Sequence, residues 1–488
     1  MAGRTENASE TRVAGSSDAA AKAPTASERI AGWVATLRYA DIPSPVVAEA
    51  KLHALDTVGV AIAAAVIPGE AATARAAAAV AGELGGAAEA SIIGRPDPAP
   101  AVHAAFANGS LAHSLDFDDI HTDSRVHAST AVTPAVLAVA ERLGADGEDV
   151  VTALVAGNEI ATRIGMGGPI HFQKHGFHAT PVADVFGVVA GAASLLSLSP
   201  QETANAIGVA ADTAGGTNAW IEYGSPNKHL HAGWAAQNGI LSADLARRGA
   251  EGPPGALEGR YGVYEALTGH AGVSADAVVG TLGVEWETPK MAYKAYPACY
   301  WTHGSIDAAL LIREQIADRL DEVESMTAIV PTPAVTIVLE PRETRIRPVT
   351  PYAGKFSMQY STAAMLLTGR IDLATYTAAA MTDERVLRLA ARVDYRISEA
   401  FDSGRQLYPG GLIVRMRDGR EYRAEVTEPR GTQLNPMSAD EVLGKFRTTA
   451  GYGLPATDVQ RLEDALLHIE ETRAVERVGE LLRRVASR

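Results

Sequence analysis

Through most of the first 270 positions apolar residues recur at i, i+3 and i+4, the spacing of helices that bury one face. The pattern predicts helices over 46–65, 132–143, 148–164 and 182–196. Pro43, Pro45, Pro134, Pro181, Pro200 and Pro226 fall near the predicted helix starts, where a missing amide hydrogen does no harm. Ser199-Pro200-Gln201-Glu202 reads as a cap followed by a first-turn acid. Residues 1–27, rich in Ala, Ser, Thr and Glu, carry no period and are predicted to be a disordered tail. The character changes near Ser274. Two short apolar runs, 334–339 (AVTIVL) and 412–417 (LIVRMR), predict strands. Asp418-Gly419 separates the second run from 422–426, the sign of a β-hairpin. Helical spacing also appears at 304–313 and 360–367, and again from Ser438 onward. The predicted class is mainly α with an α+β part. Residues 28–274 and 431–488 would form a large all-helical domain, with a smaller α+β domain at 275–430 inserted before the C-terminal helices.

Composition narrows the function. The 488 residues, 47% hydrophobic and 21% charged, suit a globular chain of two large domains or about three ordinary ones. Acids exceed bases, 58 to 43, for a formal charge of −15, which argues against a nucleic-acid partner or an anionic membrane surface. Cys299 is the single cysteine. An intrachain disulfide, a multi-cysteine zinc site and a thiolate-held iron–sulfur cluster are therefore excluded, and a reducing, cytoplasmic setting is expected. Apolar runs fall short of a ~20-residue membrane span, and the N-terminus has no signal-peptide core. The chain lacks G-x-G-x-x-G after a strand, G-x-x-x-x-G-K-[ST], H-E-x-x-H and G-x-S-x-G, so nucleotide cofactors and serine hydrolysis have no sequence support.

Four polar clusters interrupt the apolar helices. Between His113 and His127 lie Asp116, Asp118, Asp119, Asp123 and His121. Their spacing matches no standard metal signature. Asp118 and Asp119 read as caps or solvent-facing groups, and His127 as functional because it sits in a loop between two apolar helices. In the second cluster, Gly176 and Pro181 bracket His178 at a helix start. In the third, Pro226 opens a helix that places Lys228 and His231 one turn apart. A lysine at a helix N-terminus opposes the helix dipole unless an anion binds there, which points to a carboxylate site. The fourth runs from Lys294 through Cys299 to His303 and precedes another helix; Cys299 reads more readily as core filler than as a nucleophile.

Taken with IAGWVATLRYADIPSPVVAEAKLHALDTVGVAIA, NGSLAHSLDFDDIH, GFHATPV, KHLHAGWAAQNG, LEGRYGVYEA, KAYPACYWTH and GKFSMQYSTAAMLLTG, these clusters resemble the MmgE/PrpD family over residues 28–450. That family includes 2-methylcitrate dehydratases, cis-aconitate decarboxylases and an iminodisuccinate epimerase. The resemblance implies a helical domain with an inserted α+β lid, a homodimer, and a cofactor-independent lyase that abstracts a proton next to a carboxylate. Dehydration of a small di- or tricarboxylic acid is the expected reaction, with epimerisation or cis-aconitate-type decarboxylation as alternatives. The implied catalytic residues are Asp116, His127, His178 and Lys228. Lys294, His231, Cys299, His303 and Lys355 would bind substrate, and Cys299 would mark a divergent substrate or reaction.

Overall fold

In the computed structural model, residues 23–269, 273–402, 408–471 and 473–486 are described. Of the predicted tail, residues 1–22 lie outside that set. Helix Ala26–Thr36 begins inside it, because Thr25 and Glu28 close a capping box. Three of the four leading helix expectations appear with slightly longer bounds, as Ser44–Val66, Ser129–Leu143 and Gly147–Met166, and the fourth as Ala179–Leu195. Every residue from Ala179 to Ala193 is buried, so that helix is the central post of the bundle. It crosses Gly147–Met166 at backbone contact. A Cβ on Gly187 would lie 2.6 Å from the Gly157 carbonyl oxygen and 2.7 Å from the Ala161 Cβ. Helix Leu230–Ala246 packs against both Ala179–Leu195 and Ala101–Ala112. Gly233 allows the second approach, since a Cβ there would meet Ser110 Oγ at 2.2 Å.

A four-stranded sheet lies in the later part of the chain. Its strands are β1 (Val323–Val330), β2 (Val393–Ile397), β3 (Gly410–Met416) and β4 (Glu421–Val426), in the order β2-β1-β3-β4. β1 pairs with β2 in parallel; the other pairings are antiparallel. Helices His303–Ile316 and Met358–Thr368 supply its apolar cover. The predicted hairpin is β3–β4, with Gly419 at φ 84° in the turn. The other predicted strand is not one. Residues Val335–Leu339 form a π-helical turn, closed by an amide hydrogen bond from Glu340 to the Val335 carbonyl five residues back, 2.9 Å. Pro331 and Pro333 start a helical turn just upstream, and a short apolar run satisfies a buried helix as well as a strand.

Apolar residues gather into two cores. The first joins Ala26 through Met291 to the C-terminal helices, with Phe446 and Val478 among its members. Helix Ala439–Ala450 reaches back onto Ser44–Val66, where a Cβ on Gly59 would sit 2.8 Å from the Phe446 ring. The second core runs mainly from Ala292 to Met416. Val278, Val279 and Met291 belong to the first, so the packing changes some 17 residues beyond Ser274, where the composition changes. Among the described residues no helix is long and apolar enough to cross a membrane.

Gly187→Val is expected to lower the unfolding free energy by about 1–3 kcal/mol or more through overpacking at the helix crossing. An unchanged denaturant midpoint would contradict that crossing.

Candidate active site

The segment from His113 to His127 leaves helix Ala101–Ala112 and returns into Ser129–Leu143. It is tied down twice. His121 and Val126 form a bridge within it, and Ile120 exchanges two backbone hydrogen bonds with Ala292, of 2.9 and 2.7 Å. Two residues past that second bridge comes Lys294. Asp116 has φ 53°, a left-handed turn that an Asp adopts more readily than most residues. Lys228 arrives from a short 3₁₀ turn, Pro226–His229, just ahead of helix Leu230–Ala246.

These elements place one carboxylate between two ammonium groups. Lys228 Nζ is 3.1 Å and Lys294 Nζ 2.7 Å from the same Asp116 oxygen, Oδ1. Burial works to raise the Asp116 pKa, but Lys228 and Lys294 together hold it well below the usual range. Lys294 also lies 3.8 Å from Asp118. Burial alone would lower its pKa; Asp116 and Asp118 raise it instead, so it is firmly cationic. Lys228 Nζ lies over the rings of Trp220 and Phe356, at 5.3 and 5.6 Å.

Behind this group sits an imidazole network. Asp118 is fully buried rather than solvent-facing, and its Oδ2 lies 2.8 Å from Nδ1 of both His113 and His127. His127 Nδ1 is also 2.6 Å from the Asp119 carbonyl oxygen. Both neighbours are acceptors, so Nδ1 carries the hydrogen. Asp119, equally buried, contacts His53 Nδ1 at 2.9 Å. His178 stacks on His113, with centroids 5.6 Å apart, and its Nδ1 faces His231 Nδ1 at 3.0 Å. Burial, then His231 and Lys228, push the His178 pKa well below 6.5, so this ring is neutral. His113, Asp118 and His127 offer donor atoms within 4.8 Å of one another. Both Nδ1 atoms also lie 2.8 Å from Asp118 Oδ2, and Lys294 stands beside that carboxylate.

The two cores flank a cavity of ≈ 390 Å³. Six of the nine residues singled out from the sequence line it: Asp116, His127, His178, Lys228, Lys294 and Cys299. His231 stands one step back, behind His178. Two do not reach it. Lys355 is 1% exposed and turns its ammonium to the Leu115 carbonyl, 2.6 Å, and to Glu70, 2.9 Å. His303 is wholly buried under the Cys299 turn, with Nε2 3.3 Å from the Ala298 carbonyl oxygen. The predicted helix 304–313 stood next to His303, while the short helix Pro351–Lys355 was not predicted, and the direction of neither side chain was legible. The Cys299 thiol is pushed up to about 12 by burial and then by Asp116, so it is protonated at neutral pH. Arg125, Trp220 and Trp301 also line the cavity and were not anticipated. Arg125 stands two positions before His127, a basic residue inside an otherwise acidic and imidazole-rich stretch, and that contrast was its one sequence signal.

A mainly helical chain with an α+β part, folded around a cationic and imidazole-lined crevice, is what the fold and site define. The chain belongs to the MmgE/PrpD family: residues 28–276 match the MmgE/PrpD N-terminal domain and residues 296–471 the MmgE/PrpD C-terminal domain. It is 30% identical to a cis-aconitate decarboxylase of Aspergillus terreus over 496 aligned positions, covering 96% of this chain and 97% of that protein. A cis-aconitate decarboxylase-like protein of Aspergillus oryzae is 27% identical, covering 90% of this chain and 94% of its own length. The cis-aconitate decarboxylase of Homo sapiens is 28% identical, covering 78% of this chain and 79% of its own. These likenesses support a lyase.

The buried histidines set an acid limit on stability. Burial lowers the pKa of His113, His229 and His303 from 6.5 to about 3, and that of His231 to about 4. Between those values and 6.5 the unfolded chain binds more protons than the folded one, so stability falls as pH drops through that window. The expected slope is about 1.4 kcal/mol per histidine per pH unit. Thermal unfolding followed from pH 7 to pH 4.5 should show a steep fall in Tm; a flat profile would contradict the neutral, buried assignment.

Proposed function

We propose that this protein is a cofactor-independent lyase of a small di- or tricarboxylic acid, in which His127 moves a proton at a carbon next to a carboxylate. One observation carries the reading. The cavity lining holds four cations, Arg125, Lys174, Lys228 and Lys294, against a single carboxylate, Asp116, among the described residues. A chain of charge −15 has thus gathered positive charge at one enclosed place. Charge that develops on a substrate carboxylate would be stabilised there by fixed ammonium groups in a low-dielectric setting.

His127 is the suited proton carrier. Asp118 and the Asp119 carbonyl occupy its Nδ1 and orient the ring, which leaves Nε2 for substrate. His178 has no carboxylate behind it and is neutral, so it suits hydrogen bonding rather than delivery of a proton.

Decarboxylation needs one proton carrier. The bond from the reacting carbon to its carboxylate breaks, its electron pair stays on carbon and delocalises toward a neighbouring carboxylate, and carbon dioxide leaves. His127 then gives its proton to a carbon that shares that electron pair. The match to cis-aconitate decarboxylases over nearly the whole chain supports this outcome. Dehydration, the expectation from sequence, needs a base and a second group that protonates the departing hydroxyl. The pairing of His127 with His178, 6.3 Å between centroids, supports it as the second reading.

Incubation with cis-aconitate, citrate and 2-methylcitrate in deuterated water, followed by NMR, separates the outcomes. A decarboxylase releases carbon dioxide and leaves one deuterium on a carbon of the product; a dehydratase gives an unsaturated acid with no carbon dioxide. His127→Ala is expected to lower kcat by about 10²–10⁴-fold, and Lys228→Ala to lower kcat/KM. Full activity in either variant would overturn the assignment.

A further inference from the structure

We infer that the preferred substrate carries an apolar arm of several carbons, seated on Ile170, Ile221 and Ile337 at the mouth of the cavity, while its carboxylates lie on the cationic floor. This inference rests on the polycarboxylate reading above and deepens it by naming the substrate class.

Burial gives the cavity a depth axis. Asp116, His127, His178, Lys228 and Lys294 line it and are all buried. Ile170, Ile221 and Ile337 line it too, but each is only half-buried. The charged and imidazole groups therefore form the floor, and the isoleucines stand nearer to solvent. They come from three separate segments: the helix Pro169–Lys174, the helix Trp220–Tyr223 and the π-helical turn Val335–Leu339. Single exposed apolar side chains are ordinary, whereas several that converge on one opening mark a surface that a ligand covers. Single π-helical turns recur at functional sites. Here Val338 and Leu339 are wholly buried in the second core, while Thr336 and Ile337 of the same turn line the cavity.

The polar residues of the same opening have partners of their own or lie in water. Gln173 accepts a hydrogen bond from the Arg125 guanidinium, and Asn218 donates to the Phe177 carbonyl at 2.9 Å. Lys174 and Thr336 are exposed. Water held against the isoleucines is released when an apolar group covers them, which favours an alkyl arm over a polar one. Room sets its length. A six-carbon tricarboxylic acid fills about 200 Å³ at the packing density of an organic solid, against a cavity of ≈ 390 Å³. The difference leaves space for an arm of about four carbons.

Calorimetric titration of the full chain with succinate, butylsuccinate and 2-methoxyethylsuccinate tests this. The last acid has an arm as long as butyl, interrupted by an ether oxygen. Butylsuccinate should bind about 10- to 100-fold more tightly than succinate, and the methoxyethyl acid should gain far less. Ile221→Asn and Ile337→Asn, on two different segments, should each cut the preference for the butyl arm to about threefold or less. A butyl acid that binds no better than succinate or than the methoxyethyl acid, or a preference that neither variant reduces, overturns the apolar arm and leaves the polycarboxylate reading standing. Should the wild type bind none of the three acids, the polycarboxylate reading itself fails, and the arm with it.

Discussion

An ionised carboxylate that is almost wholly enclosed by protein persists only if cations reach it, because desolvation otherwise neutralises it. Asp116 meets that condition with two ammonium groups from distant parts of the chain. Lys228 is delivered by the turn that opens helix Leu230–Ala246 in the first core. Lys294 is delivered by the strand-like segment that leads into the second. The ion triplet therefore does two things. It closes the two cores over one crevice, and it fixes the positions of the cations that a substrate would meet. Removal of one member would leave an uncompensated charge in a dry place, which is why the site and the fold cannot be separated energetically.

The helical part of this design was legible because hydrophobic period is a local property. Helices such as Gly147–Met166 and Ala179–Leu195 announce themselves by spacing, and Asp418-Gly419 announces a hairpin by turn chemistry. The run 334–339 shows where that logic ends. Five or six apolar residues fit a buried turn of helix as well as a strand, and the prolines upstream decided the matter. The site was legible at the level of clusters, and less so at the level of direction. Asp116, His127, His178, Lys228, Lys294 and Cys299 meet at the cavity. Lys355 does not, because its ammonium is held by Glu70, a residue with no motif around it, and by the Leu115 carbonyl. Asp118 and Asp119 looked like ordinary loop aspartates; what buries them is the pairing of Ile120 with Ala292, a contact across 172 positions.

The two histidines of the cavity wall, His127 and His178, show how much a ring's setting depends on the residues behind it. In sequence they are equivalent, each in a loop ahead of an apolar helix. In space they differ by what stands behind Nδ1. For His127 it is an anion and a carbonyl; for His178 it is another imidazole. The first ring is hydrogen-bonded to an anion, while burial and neighbouring cations disfavour a proton on the second. The supply of negative charge behind His127 also has a ceiling. Asp184, fully buried nearby, has its pKa driven well above the usual range by burial and then by Asp119 and Asp118, so it is held as a neutral acid. The ring proposed as proton carrier is the one backed by an ionised carboxylate, Asp118. That carboxylate is itself kept ionised, against its burial, by Lys294 and by the two rings it orients.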